Sequence, residues 1–245
     1  MIAPLADRMR PKELDDCLGQ KHLIGKGKLL RKIIESGQIP NMIFYGPSGI
    51  GKTTIANIIA AKTGKSLYKL NATTASVSDV KDIIASLDTF TDRDGVLLYL
   101  DEIQHFNKKQ QQTLLEYMEN GKITLIASTT ENPYFYIYNA VLSRSVVFQF
   151  MPVDENEIVE GLKRCIAKMG EEEYKSYKLT ADDEALLHLA KMSGGDVRKA
   201  INSLEICALG AVPDSDGNLR ITLDIAEQAT QKKAMRYDRD GDSHY

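Results

Sequence analysis

Phe44-Tyr45-Gly46-Pro47-Ser48-Gly49-Ile50-Gly51-Lys52-Thr53 is the stretch whose reading decides the fold of this chain. The apolar residues at 41–45 read as a buried strand. After the glycines, residues 54–62 place Ile55, Ile58, Ile59 and Ala61 at helical spacing. A strand that runs through a glycine-rich turn into a helix is the context in which G-x-x-x-x-G-K-[ST] marks a phosphate-binding loop. Gly46, Gly49 and Gly51 let the backbone turn with its N–H groups aimed at phosphate oxygens, at the positive end of the helix dipole. Residues Gly46, Pro47, Ser48, Gly49, Ile50, Gly51, Lys52, Thr53 and Thr54 are therefore the expected nucleotide-binding set. Within it, Lys52 is expected to reach the β- and γ-phosphates, and the Thr53 hydroxyl to ligate Mg²⁺.

Working outward, the 245 residues have room for one large domain and a smaller one. The composition is that of a soluble globular protein, with 43% hydrophobic and 27% charged residues. A formal net charge of −3 excludes a wholesale basic face, so nucleic-acid contact has to come from local clusters. The three cysteines, Cys17, Cys165 and Cys207, are widely spaced and form no C-x-x-C, which points to reduced thiols and leaves no structural zinc set. Residues 1–10 lack the apolar run of a signal peptide and no stretch approaches a membrane span, so a cytoplasmic protein without membrane partners is expected.

Along the chain, residues 1–22 are polar and proline-punctuated, and read as an N-terminal arm and linker. A helix follows at about 28–36, in the most basic stretch (Lys21, Lys26, Lys28, Arg31, Lys32), read as a solvated face before a DNA contact. Strands are expected at 66–71, 96–100, 123–128 and 146–150, and helices at 78–90 and 108–119, with a turn at Asp92-Arg93-Asp94-Gly95. Such alternation implies a parallel sheet covered by helices on both faces, here of five strands. The aromatic run Tyr134, Phe135, Tyr136 and Tyr138 could stack on bases, but core or interface packing is the preferred reading. From Pro152 onward strand patterns nearly stop, and helices are read at 156–169, 180–192, 196–209 and 222–232. The expected division is thus an arm at 1–22, an α/β nucleotide-binding core at 23–151, a helical lid at 152–232 and a polar tail at 233–245.

Asp101-Glu102 closes the continuous apolar run Val96-Leu97-Leu98-Tyr99-Leu100, at the strand end where parallel sheets bind ligands. Asp101 would hold Mg²⁺, directly or through water, and Glu102 would polarise the water that attacks the γ-phosphate. Two acidic residues after a strand say little alone. Downstream of a phosphate loop they argue for hydrolysis.

The order of phosphate loop, Asp101-Glu102, Thr129-Thr130, Ser143-Arg144 and Gly195-Asp196-Val197-Arg198 resembles that of AAA+ ATPases. More narrowly, the chain resembles the RarA/MgsA family of replication-associated recombination proteins, related to the Werner-helicase-interacting protein. The stretches that carry this are Leu5-Ala6-Asp7-Arg8-Met9-Arg10-Pro11, Asp101-Glu102-Ile103, Phe106-Asn107-Lys108, Gln110-Gln111, Thr129-Thr130-Glu131-Asn132-Pro133 and Leu142-Ser143-Arg144. The resemblance implies a P-loop AAA+ core with a small helical lid. It implies Thr130 (or Thr129) as sensor 1, Arg144 as an arginine finger acting in a neighbouring subunit, and Arg198 as sensor 2. It places residues 14–24 beside the adenine. His105 stands where many relatives have arginine. Relatives continue into a helical region that mediates tetramer formation, and this sequence stops before it, as an excised ATPase module or a short member would.

The function so implied is a DNA-dependent ATPase with ATP and Mg²⁺. It would act at single-strand/double-strand junctions, ends or gaps in replication-fork maintenance and in recombination or repair. Expected partners are DNA, single-strand binding protein, the replication machinery and further copies of the same chain, in a nucleoid-associated cytoplasmic setting. The alternatives are a clamp-loader or branch-migration subunit, or an ATP-switched binding module with little turnover.

Overall fold

The computed structural model describes residues 3–86 and 95–237. The chain forms two compact units, one running Pro11–Met151 and one joining the first ten residues to Pro152 onward. In chain order it begins with the one-turn helices α1 (Leu5–Arg8) and α2 (Lys21–Ile24), followed by α3 (Leu29–Ser36). An alternation follows: β1 (Met42–Tyr45), α4 (Lys52–Thr63), β2 (Leu67–Asn71), α5 (Val77–Ala85), β3 (Val96–Asp101), α6 (Lys108–Glu119) and β4 (Ile123–Thr129). Two one-turn helices, α7 (Pro133–Tyr136) and α8 (Asn139–Leu142), precede β5 (Val146–Gln149).

The expected five-stranded parallel sheet is present, in the order β2-β3-β4-β1-β5. The central strands β1, β3 and β4 are mostly apolar because both of their faces are covered, whereas the edge strands β2 and β5 are largely part-exposed, and the period-2 alternation sorts the buried side chains into two cores. Phe44, Leu97, Tyr99 and Ile126 point to one face, where Ile55, Ile58 and Ile59 of α4 meet them. Ile43, Leu98, Leu100, Leu125 and Ala127 point to the other, against Leu114 of α6 and Val80 of α5. Helix α4 buries Ala60 and leaves Ala61 exposed, one position from the expected stripe. Since β4 lies between β1 and β3, the loop after β1, the acidic pair after β3 and the threonines ending β4 share one edge of the sheet.

The second unit contains α9 (Glu155–Glu171), β6 (Lys178–Ala181), α10 (Asp183–Ser193), α11 (Val197–Gly210), β7 (Asn218–Ile221) and α12 (Leu223–Tyr237). It is not purely helical. Strands β6 and β7 pair in parallel, Thr180 opposite Arg220, so the first residues of the helix expected at 180–192 belong to a strand and α10 starts at Asp183. Each strand is four residues long, too short for an alternation to stand out in sequence.

Residues 1–22 do not form a free arm. Leu5 is fully buried, α1 packs on α11, and the Leu5 N–H donates to Glu205 Oε1 at 3.1 Å. Arg8 pairs with Glu172 and Glu173. Leu14 and Gln20 are buried in the other unit. The polar composition hid single apolar anchors. In the basic stretch, Arg31 is held by Asp15 at 2.7 Å and Glu35 at 2.8 Å. The expected tail at 233–245 is helical as far as Tyr237. The end of the expected 78–90 helix, the turn at 92–94 and the tail beyond 237 lie outside the described residues.

Candidate active site

Residues 46–51 leave β1 and wrap over the start of α4, whose first residue is Lys52. Gly46 has φ 142°, and a Cβ there would stand 2.3 Å from the Phe150 carbonyl oxygen, so glycine is required by conformation and by space. Its N–H donates to the Thr129 carbonyl at 3.1 Å, which ties the loop to the end of β4. Gly51, at φ 103°, caps α4 and lets the helix begin with its N–H groups facing the loop. Lys52 is 7% exposed, and its ammonium donates to the carbonyls of Gly46 and Pro47, both at 2.6 Å. A cation is thereby held inside the curl of the loop.

Beneath the loop lies a hydroxyl network that the sequence reading missed. The Tyr99 hydroxyl is 3.0 Å from Thr53 Oγ1 and 3.0 Å from Ser128 Oγ, and lies 3.4 Å from Asp101 Oδ1. Ser128 Oγ in turn donates to Asp101 Oδ1. Tyr99 is 2% exposed and Ser128 fully buried. Burial first, and the Asp101 charge second, push the Tyr99 phenol up, so it stays a neutral hydroxyl. A signal for it was available: Tyr99 is the one polar-tipped residue in an aliphatic strand, two before Asp101 and hence on the same face.

Glu102 takes the left-handed conformation at φ 54°, which turns its side chain out of the strand. Its Oε2 accepts from Gln104 Nε2 at 2.6 Å and from Thr130 Oγ1 at 3.3 Å. Thr130 is exposed, whereas Thr129 is buried and accepts from the Glu131 N–H at 3.0 Å. Of the two threonines left open by sequence, Thr130 is the one that touches Glu102. Gln104 Oε1 is the one buried side-chain polar atom among the described residues with no hydrogen-bond partner, at a cost of about 1–3 kcal/mol.

Gln20 is the second described non-glycine residue at positive φ, at 56°. Its amide donates to the Ile50 carbonyl at 3.3 Å and the Met151 carbonyl at 2.6 Å, and accepts from the Met151 N–H at 3.0 Å. His22 Nε2 lies 2.9 Å from the Gln149 carbonyl. The segment expected beside the adenine is thus clamped between the phosphate loop and the end of β5. Left-handed backbone at two ordinary residues, both at this edge, is the kind of strain that clusters at functional sites.

Arg144 is half exposed after α8. It pairs with Glu119 at 2.7 Å and donates to the Ala140 carbonyl at 3.0 Å, with none of these partners in the phosphate loop. Arg198 is exposed in the first turn of α11, where Asp196 caps the helix by accepting from the Lys199 N–H at 2.8 Å. The structure therefore brings together Lys52, Thr53, Asp101, Glu102 and Thr130. Arg144 makes its contacts elsewhere in the same unit, and Arg198 belongs to the other unit.

The donor set suits a hard divalent cation, since a hydroxyl and a carboxylate supply oxygens of the type Mg²⁺ prefers. Burial pushes the Cys17 and Cys165 thiols up to about 12 and the Cys207 thiol up to about 11, so none serves as a nucleophile near neutral pH.

Comparison with known proteins agrees with this geometry. Residues 9–134 match the family described as the Holliday junction DNA helicase RuvB P-loop domain, and residues 175–245 the AAA C-terminal domain. The chain is 40% identical over its full length to the replication-associated recombination protein A of Bacillus subtilis, covering 57% of that protein. It is 33% identical over its full length to the ATPase WRNIP1 of Dictyostelium discoideum, covering 30% of it. The chain thus spans little more than half of the bacterial relative. Among solved structures, the Thermotoga maritima RuvB Holliday junction branch migration motor superposes with a TM-score of 0.71 at 25% identity, over 91% of this chain and 72% of that one.

Proposed function

This chain belongs to the replication-associated recombination protein A (RarA/MgsA) family of AAA+ proteins, and on that premise we propose that it is a DNA-dependent ATPase. It hydrolyses ATP to ADP and phosphate in replication-fork maintenance and in recombination or repair. The observation that carries this reading is Glu102, the carboxylate that directly follows Asp101 and whose Oε2 is held in place by Thr130 and Gln104.

In this account the loop N–H groups and Lys52 bind the phosphates, and Thr53 and Asp101 hold Mg²⁺. When bound, that ion neutralises phosphate charge. The Tyr99 and Ser128 hydroxyls fix Thr53 and Asp101 relative to each other, so the oxygen donors are set before nucleotide arrives. Glu102 accepts a proton from the attacking water, and Thr130 and Gln104 aim its Oε2. Residues 14–24 border the base, with Gln20 fixing their distance from the loop.

Arg144 acts in the site of a neighbouring copy, because its partners are Glu119 and Ala140 and not its own loop. A finger in trans is worth about three to five powers of ten in rate. Such a head-to-tail contact requires an assembly with repeated interfaces. Arg198 is the proposed sensor 2. DNA junctions, ends or gaps, single-strand binding protein and the replication machinery are the proposed partners, in a nucleoid-associated cytoplasmic setting. No helix among the described residues is long and apolar enough to cross a membrane.

Steady-state phosphate release across single strands, duplex ends and gapped duplexes tests this reading. Stimulation by one class supports it, and turnover unchanged by any DNA contradicts its DNA dependence. Mixing Arg144→Ala with Lys52→Ala subunits should restore turnover absent from either alone, and no recovery contradicts the role in trans. The match to the RuvB P-loop domain favours a branch-migration motor as the second reading. ATP-driven dissociation of a four-way junction would select it.

A further inference from the structure

Of the aromatic run after β4, Tyr138 packs against a core, but the three residues before it do not. Tyr134 is 64%, Phe135 82% and Tyr136 53% exposed. Their backbone is nevertheless firmly held. Asn132 caps α7 by accepting from the Tyr134 N–H at 3.1 Å, and buried Pro133 opens it. Gln111 of α6, 2% exposed, donates to the carbonyls of Phe106 at 2.8 Å and Tyr136 at 3.3 Å, and accepts from the Tyr138 N–H at 2.8 Å. A buried glutamine so pins α7 to the first half of α6 while leaving three rings in solvent.

The same turn of α6 carries cations. Lys108 and Lys109 are exposed, and the Lys108 ammonium lies 5.1 Å from the Tyr138 ring centroid. Exposed rings on a held backbone, joined through Gln111 to a lysine-bearing helix turn, match the alternation of base and phosphate in a single strand. A chain of net charge −3 gains little from long-range attraction, so such a local pairing has to supply the affinity.

We propose that α7 and the first turn of α6 form a binding site for single-stranded nucleic acid. Bases stack on Tyr134, Phe135 and Tyr136, and phosphates pair with Lys108 and Lys109. Tyr136 lines the same cleft as Glu102, Gln104 and Thr130. A strand seated there borders the carboxylate, which gives DNA a direct route to hydrolysis; this coupling rests on the DNA-dependent ATPase reading.

The chain has no tryptophan, so Phe135→Trp installs a single indole on the proposed surface. Titration with oligothymidylate should quench its emission while keeping wild-type affinity. By anisotropy of the labelled oligonucleotide, Phe135→Ala should weaken binding by about fivefold or more, the loss expected for one stacked base. The double variant Lys108→Ala/Lys109→Ala should flatten the slope of log affinity against log salt by about 1.4, corresponding to two released phosphate contacts. Binding of a fluorescent ATP analogue should be retained by each variant. Wild-type affinity in the alanine variants without indole quenching overturns the site while leaving DNA dependence standing. No oligonucleotide binding by any form overturns both. A change in solution mass in place of oligonucleotide affinity overturns the proposal in favour of an interface between copies.

Discussion

Replacing Tyr99 by phenylalanine removes one oxygen from the floor of the candidate site and leaves the ring in the core. Two hydrogen bonds at 3.0 Å and a longer contact of 3.4 Å to Asp101 are lost. Ser128 keeps its bond to Asp101, and Thr53 is partly solvent-exposed, so neither hydroxyl is stranded. With about 0.5–1.5 kcal/mol for each of two neutral bonds, the expected loss is about 1–3 kcal/mol of folding stability. For a chain of this size that corresponds to a melting point lowered by roughly 2–10 °C, read on the unit that contains the sheet. The functional consequence is more telling than the structural one. Without the phenol, Thr53 and Asp101 are no longer fixed to each other. Nucleotide affinity should therefore fall in Mg²⁺ and stay near wild type in EDTA. Isothermal titration with ADP under both conditions measures this difference directly. Equal losses in Mg²⁺ and EDTA would mean that Tyr99 only supports the fold, and no loss in either would refute the network as an organiser of the site.

Three further outcomes follow from the same geometry. Gly46→Ala forces a Cβ to 2.3 Å from the Phe150 carbonyl at φ 142°, so it should destabilise the sheet unit by about 2 kcal/mol or more in urea melts and abolish the thermal shift with ATP. Gln20→Ala frees the Ile50 carbonyl and both backbone groups of Met151, and should weaken nucleotide binding while leaving the far-UV spectrum unchanged. The raised thiol of Cys165 contributes stability that is complete below its unfolded value near 9 and is lost as pH climbs toward about 12. Iodoacetamide should accordingly label Cys165 slowly in the native protein at pH 8 and rapidly in urea.

The sheet was legible because its central strands are buried on both faces and its helices repeat at 3.6 residues, patterns that survive in a single sequence. The phosphate loop and Asp101-Glu102 were legible because their chemistry needs adjacent residues. What escaped were contacts between residues far apart in the chain. Gln20 reaches Met151, and Gln111 reaches Tyr136 and Tyr138, each as a single polar side chain with no local pattern. Leu5 anchors a segment whose polar composition argued against burial, and β6 and β7 are too short for period 2 to emerge. The aromatic run reads as core or interface packing, and the exposure of Tyr134, Phe135 and Tyr136 rules out the core half of that reading for these three residues.

The most direct test of the central claim is single-turnover cleavage of ATP by Glu102→Gln beside wild type. Nucleotide affinity should stay near wild type while the cleavage rate falls by about two powers of ten or more, as expected when a general base is removed. Cleavage near the wild-type rate in that variant would show that Glu102 does not activate the water.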